Sequence, residues 1–334
     1  MKTYKNLFKE VCSFEKLYDA YLKARRGKTH RGEVAKFTYN LEGELLKLQN
    51  ELENQSYETG RYRNFVIFEP KRREISALPF RDRIVHHAVC AVIEPIFEKT
   101  FISDSFACRK GKGTHAGILR MQNFIEKTGE NFYALKCDIS KYFQSINHEI
   151  LKKIIRRKIA DEKLLWLIDS IIDSSENGVP IGNLTSQLFA NIYLSKLDEY
   201  IKYELKVRYY IRYMDDFVLL DNSKKFLQDV RGKLEIFLVS ISLSCHKRKT
   251  TVFPIILGID FLGYRIYIDY RLARKSTVQR FINRTKKKIV KYENNLISHD
   301  KLMESFNSWE SYMNHGDTYA LKKNLYERYF KNVA

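Results

Sequence analysis

The sequence predicts an α+β chain, with a small antiparallel sheet set between helical segments, and three observations predict it. First, residues 212–220, RYMDDFVLL, follow an alternation of Val207, Tyr209, Ile211 and Tyr213. The apolar pattern then resumes at Phe217, Val218, Leu219 and Leu220. This reads as two strands joined by a tight turn that carries Asp215 and Asp216. Second, residues 132–137 read as another strand, which ends at Asp138. Third, residues 1 to about 60, and the chain from Ser276 onward, place apolar residues at helical spacing.

The chain has 334 residues, 44% of them hydrophobic, enough for a large core in two or three lobes. Its net charge of +19 suits a polyanionic partner. The five cysteines are scattered and none forms a CxxC pair, which argues against zinc and against a disulfide framework and fits reduced thiols in a cytoplasm. No apolar run reaches the length of a membrane span, and the start lacks the apolar core of a signal peptide, so a cytoplasmic protein without a membrane partner is expected.

In order, the first helical segment carries Phe14, Leu17, Tyr18, Tyr21 and Leu22, and the second Leu41, Leu45, Leu46, Leu48 and Leu52. Between them Arg25, Arg26, Lys28, His30 and Arg31 suit either RNA phosphates or a solvated loop. Residues 65–68 read as a strand that Pro70 breaks, and 75–78 as its return, with Lys71, Arg72 and Arg73 on the tip. Guanidinium groups pair with phosphate in a bidentate fashion, so such a tip suits a triphosphate, although a single basic hairpin is more commonly without a ligand. An apolar helix follows over 84–97. Its His86 and His87 have no partner at metal-ligand spacing and read as structural. The Gly- and Lys-rich loop at 102–117, with Arg109 as a candidate nucleic-acid contact, matches no Walker A pattern but could receive phosphate.

After Asp138, Asn147 is placed to cap a helix whose apolar face is Ile150, Leu151, Ile154 and Ile155. Gly178, Pro180 and Gly182 make a turn into a helix with Leu188, Phe189, Ile192, Tyr193 and Leu197 on one face. That turn either lets a base pair approach the backbone or is a plain loop–helix junction. Past the aspartate hairpin come an amphipathic helix over 226–239, then a strand, basic turn and strand over 241–253, with His246, Lys247, Arg248 and Lys249 in the turn. An apolar hairpin over 259–274 follows. In the basic helix after Ser276, Val278, Phe281, Ile282 and Ile289 face inward, while Arg280, Arg284, Lys286, Lys287 and Lys288 face outward, where they can track a duplex backbone. Residues 301–330 read as closing helices.

Three acids at strand ends and turns are the chemical core. An acid at a strand end ahead of a turn is where an α/β site places a ligand-binding carboxylate. Asp138, Asp215 and Asp216 meeting at one sheet edge would hold two Mg²⁺ ions, with Mn²⁺ able to substitute. Two such ions stabilise both the attacking and the leaving oxygen of an in-line phosphoryl displacement, the chemistry of nucleotide addition, and Lys71 and Arg73 would help neutralise the triphosphate.

RYMDDFVLL together with CDISKYFQSI resembles the palm motifs of reverse transcriptases. EPKRREISALPFRDRIVHHAV, SFACRKGKGTHAG, GVPIGNLTSQLFANIYL, GIDFLGYRI and SWESYMNHGDT look like successive motifs of the reverse transcriptases of diversity-generating retroelements, within the group II intron-like superfamily. The resemblance implies a right-hand fold, with an N-terminal helical extension (1–60), fingers (61–130, with part of 145–180), a palm whose antiparallel sheet holds the YMDD hairpin (131–265) and a basic helical thumb (266–334). It implies RNA-templated DNA synthesis from dNTPs. Asp138, Asp215 and Asp216 match the metal-binding aspartates, with Asp138 and Asp215 the more direct ligands and the Ile139 carbonyl an extra one. Phe143 matches the aromatic that closes on the sugar 2′ position and excludes a ribonucleotide. Arg73 matches the finger arginine that meets the triphosphate, and Lys71 is a weaker match. Lys249 looks like the lysine that can give a proton to pyrophosphate, a role His246 or Lys247 could take instead.

At the nucleotide-binding loop most families have Gln-Gly followed by Ser-Pro. Here Ile181 and Gly182 are followed by Asn183, Leu184, Thr185, Ser186 and Gln187, a form typical of the diversity-generating branch. Ile181 cannot hydrogen-bond the nucleotide, and an apolar wall discriminates weakly, so low fidelity is expected; in the resembled branch errors concentrate at template adenines. The family also implies a template RNA, a cDNA product and a separate small, basic, oligomeric accessory protein. A group II intron enzyme, which usually carries maturase and often endonuclease regions after the thumb, is disfavoured by the missing Gln-Gly loop and by a chain that ends about 60 residues after the thumb begins, and a retron enzyme by missing family motifs. An antiphage defence reverse transcriptase is the nearer rival. A non-catalytic RNA-binding protein is the distant one, since it would have no reason to keep three acids near a polyanion.

Overall fold

The computed structural model describes residues 3–68 and 72–331. Where the sequence predicts two N-terminal helical segments there are four helices: α1 (Phe8–Cys12), α2 (Phe14–Arg25), α3 (Gly32–Tyr39) and α4 (Leu41–Glu53). The hairpin expected next forms as β1 (Arg63–Ile67) and β2 (Arg73–Ala77), a two-stranded ribbon paired from Arg63 opposite Ala77 to Ile67 opposite Arg73. Helix α5 (Phe80–Glu98) starts four residues earlier than its apolar run suggests. Its first turn holds Asp82, buried and accepting from the Tyr57 hydroxyl at 2.7 Å.

Helix α6 (Thr114–Thr128) leads into β3 (Tyr133–Asp138), the short α7 (Tyr142–Ser145), α8 (His148–Arg156), α9 (Glu162–Asp173) and α10 (Leu184–Glu199). Asn147 caps α8 as its position predicts, accepting from the Ile150 amide at 3.0 Å. Strands β4 (Tyr209–Tyr213) and β5 (Asp216–Asp221) form the aspartate hairpin, and α11 (Lys224–Ser240) follows. The strand expected at 241–245 does not form. Ile241 ends α11, Ser242 takes a left-handed conformation, and Cys245 makes an isolated bridge with Ile139. Strand β6 (Thr251–Pro254) does form. The apolar hairpin at 259–274 is a three-stranded sheet of β7 (Ile259–Phe261), β8 (Tyr264–Ile266) and β9 (Arg271–Ala273). Helices α12 (Lys275–Glu293), α13 (His299–Met313) and α14 (Tyr319–Tyr329) close the chain.

The central sheet runs β4-β5-β3-β6, antiparallel throughout, and is buried on both faces. Period-2 alternation divides its side chains. Leu135, Cys137, Tyr210, Phe217 and Leu219 join the large core built with α5, α8, α9, α10 and α11. Ala134, Ile211, Val218 and Leu220 face Ile118, Met121, Phe124 and Ile125 of α6, and Ile259, Phe261, Tyr264 and Ile266 of the second sheet. Each fully buried large side chain here contributes about 1.5–3 kcal/mol.

A third core gathers Phe281, Leu302, Phe306, Trp309, Met313, Leu325 and Phe330 from the closing helices. The motif SWESYMNHGDT ties it to the second sheet. The Tyr312 hydroxyl donates to the Leu262 carbonyl at 2.7 Å, the Tyr264 hydroxyl donates to the Tyr312 carbonyl, and Asp317 accepts from the Arg271 amide at 2.9 Å. Among the described residues no helix is long and apolar enough to cross a membrane.

Candidate active site

The sheet register brings the three acids together. Asp138, last in β3, stands opposite Asp216, first in β5. Asp215 sits in the turn between β4 and β5, and its carbonyl accepts from the Ile139 amide at 3.2 Å. Met214 holds a left-handed φ of 55° in that turn, a conformation unfavourable for a side chain of its size. Beneath it lies Arg212, fully buried, whose Nη1 donates to the Met214 carbonyl at 3.3 Å.

The carboxylates disturb one another. Burial first, then the charge of Asp138, holds Asp215 above the ordinary carboxylate range, against the pull of Lys249 and Arg73. Burial also pushes Asp216 up to about 6, with Asp215 and Asp138 adding to the shift and Lys136 opposing it. Two lysines partly balance the acids: Lys249 Nζ lies 2.7 Å from Asp138 Oδ1, and Lys136 Nζ 3.3 Å from Asp216 Oδ1. Among the described residues no three His, Cys, Asp or Glu side chains converge to enclose an ion as they stand. The donor set nonetheless fits a divalent cation, because mutually repelling carboxylates at one sheet edge are what such an ion relieves. Asp138 and Asp215 would hold it, with the carbonyl of the buried Ile139 alongside.

Arg73, at the start of β2 and exposed, lies near enough to Asp215 for its charge to lower that carboxylate's pKa. Lys71 lies outside the described residues. Phe143, in α7, is half-buried with its ring 5.6 Å from that of Tyr142. Its carbonyl accepts from the Val179 amide at 2.8 Å. Gly178 makes this approach possible: its φ is +60°, and a Cβ there would lie 2.2 Å from the Phe143 carbonyl oxygen. The Ile181 carbonyl accepts from the Ser76 amide of β2 at 3.0 Å, so the loop that carries Ile181 is fastened to the ribbon. Gly182, with φ +122°, sits against Ile75, and Gln187 is exposed on α10.

Arg109 has a different task from the one its loop suggests. It is almost wholly buried and spends its donors on Glu98 and on the carbonyls of Ile102 and Ser105, so it staples the loop and is not free to meet nucleic acid. On α12, Arg280, Arg284, Lys286 and Lys287 are exposed, while Lys288 is half-buried, its pKa lowered by burial and by Arg284. Sequence reasoning missed Lys136, Arg212 and Asp198. The signal for Arg212 is its place inside an otherwise apolar strand.

A family model described as "Reverse transcriptase (RNA-dependent DNA polymerase)" matches residues 69–266, more than half of the chain. Protein YkfC of Escherichia coli is 29% identical over 244 residues, covering 59% of this chain and 63% of that protein. The group II intron-encoded protein LtrA of Lactococcus lactis is 23% identical over 284 residues, covering 63% of this chain and 46% of its own length. The chain thus spans less than two thirds of these relatives. Apo telomerase from Candida tropicalis shares the fold, with a TM-score of 0.50 at 15% identity over 63% of this chain and 48% of that one, which places this chain among right-hand polymerase folds. The matched span takes in every strand of the central sheet and all three acids, and the chain belongs to the reverse transcriptase family.

Proposed function

We propose that the chain is an RNA-directed DNA polymerase that copies a template RNA into cDNA from dNTPs, with low fidelity, in a diversity-generating retroelement. The observation that carries the polymerase reading is the meeting of Asp138, Asp215 and Asp216 at one sheet edge, faced by Arg73. Asp138 and Asp215 hold Mg²⁺, with Asp216 beside them. When bound, two such ions supply charge neutralisation on the attacking and leaving oxygens and lower the pKa of the primer 3′-hydroxyl. Arg73 meets the triphosphate. Phe143 closes on the sugar and excludes a 2′-hydroxyl. Lys249, paired with Asp138 before substrate arrives, is placed to give a proton to the pyrophosphate leaving group. Residues 61–130 serve as fingers, 131–265 as palm and 266–334 as thumb, whose exposed Arg280, Lys286 and Lys287 track the duplex backbone.

The retroelement reading rests on Ile181, whose side chain offers a base pair no hydrogen bond, and on the IGNLTSQ form of its loop. Template RNA and a small basic oligomeric accessory protein are the partners of that reading. The test is primer extension on an RNA template with Mg²⁺ and dNTPs, with and without an accessory protein from the same locus, and with the products sequenced. Misincorporation concentrated opposite adenine supports it. Faithful synthesis leaves the polymerase standing but removes the mutagenic role in favour of antiphage defence. No synthesis on the native RNA overturns the polymerase reading.

A further inference from the structure

The two lysines among the acids differ in how they are held. Lys249 lies in a turn, is 39% exposed, and among the described residues its ammonium forms one ion pair, with Asp138. Lys136 is 16% exposed and is anchored twice. It projects from the face of β3 that also carries Asp138, two residues on. From there it reaches diagonally to Asp216, 3.3 Å from Oδ1 and 3.4 Å from Oδ2, and it also donates to the carbonyl of Asp260 in β7. Among the described residues no backbone ladder joins the central sheet to the second sheet. Lys136 therefore ties the catalytic hairpin to the strand that leads, through Asp260 and its partner Arg274 at 3.5 Å, into α12.

We propose that Lys136 is a positioning residue, a resident cation that holds Asp216 as its counter-ion and keeps that carboxylate out of direct metal ligation. This rests on the polymerase reading of the site. An incoming divalent cation can displace the singly held Lys249 from Asp138. It cannot displace Lys136 without breaking both the ion pair and the bond to Asp260. Asp216 then sets the local charge and fixes the end of β5, while Asp138 and Asp215 hold the ions. The same link fixes the distance between the acids and β7.

The test measures Mn²⁺ affinity of the full chain by electron paramagnetic resonance, without nucleotide or primer, alongside primer extension. Lys136→Met bares the Asp216 carboxylate, so Mn²⁺ binding should tighten by about threefold or more while kcat falls by about tenfold or more. Lys136→Arg keeps the charge and should bind Mn²⁺ within about twofold of the parent. The double variant Lys136→Met with Asp216→Asn replaces a charged pair by a neutral one and should also stay within about twofold in Mn²⁺ affinity. A tenfold weaker double variant would make Asp216 a ligand and overturn the proposal, as would an unchanged affinity in Lys136→Met. If Lys136→Met alone fails to fold, the double variant and Lys136→Arg still decide. Failure of the underlying reading looks different: Asp215→Ala would then alter neither Mn²⁺ binding nor extension.

Discussion

Arg212 and Asp198 form a bidentate ion pair, Nε to Oδ1 at 2.7 Å and Nη2 to Oδ2 at 2.6 Å, sealed from solvent beneath the Met214–Asp215 turn. Burial disfavours the guanidinium charge, and Asp198 more than restores it, so the Arg212 pKa stands above its ordinary value. The Tyr210 hydroxyl completes the set, donating to Asp198 at 2.6 Å, and Arg212 also reaches Asn191 on α10. Asp198→Asn leaves a buried charge without its counter-ion, and urea unfolding should show a loss of roughly 3–5 kcal/mol. An unfolding midpoint equal to the parent's would remove the pair from the stability of the hairpin.

Asp215→Ala should abolish primer extension while filter binding to template RNA stays nearly unchanged, because the basic surface that attracts the RNA is untouched. Incorporation at the parent rate would sink the metal assignment.

Phe143→Ala should admit ribonucleotides. The ring is carried on a segment whose backbone is pinned by Val179 and Gly178, so its loss opens space without moving the chain. The readout is the ratio of kcat/KM for dNTP over NTP, and an unchanged ratio would end the gate role.

Gly182→Ala should raise the KM for dNTPs by about tenfold, since a side chain at φ +122° is strained and its Cβ would fall 2.9 Å from Ile75. Parent kinetics in this variant would show that the loop and the ribbon are not coupled.

His86 is fully buried, its Nδ1 2.7 Å from the Thr185 hydroxyl, and burial together with His87 pushes its pKa down to about 3. The unfolded chain takes up this proton near pH 6.5, while the folded one resists until about pH 3. Stability from this site is therefore complete above pH 6.5 and falls with acidification, by up to about 1.4 kcal/mol per pH unit. His86→Gln should flatten the pH dependence of the unfolding free energy between pH 6 and 4 by one proton, and superimposable slopes would refute the assignment.

The parts of the site that announce themselves locally were legible. Asp138, Asp215 and Asp216 stand out because each interrupts an apolar strand pattern with a charge, and Asn147 because a cap is a local signal. Arg212 was not, because β4 is buried on both faces and alternation no longer tells inside from outside. Lys136 was hidden for another reason: its partners Asp216 and Asp260 lie 80 and 124 residues away. Arg109 misled because a basic loop looks the same whether its charge is spent on Glu98 or offered to solvent. The missing strand at 241–245 follows from the end of α11: Ile241 caps the helix, Ser242 turns left-handed, and the Ser242 and Leu243 amides donate back to Val239 and Leu238, which spends the residues a strand needs to begin.

The ribbon of β1 and β2 leaves every residue of β1 exposed, Phe65, Val66 and Ile67 among them. Such a two-stranded sheet is marginal by itself in water. Part of its order comes from the loop at Ile181, whose carbonyl accepts from the Ser76 amide of β2, and on the proposed reading the template with its nucleotide would supply the rest. On the proposed reading, selecting a substrate would become a small folding equilibrium: a well-seated pair would complete a miniature core and steady the ribbon, and the proposed low fidelity would follow from how readily these ten residues loosen.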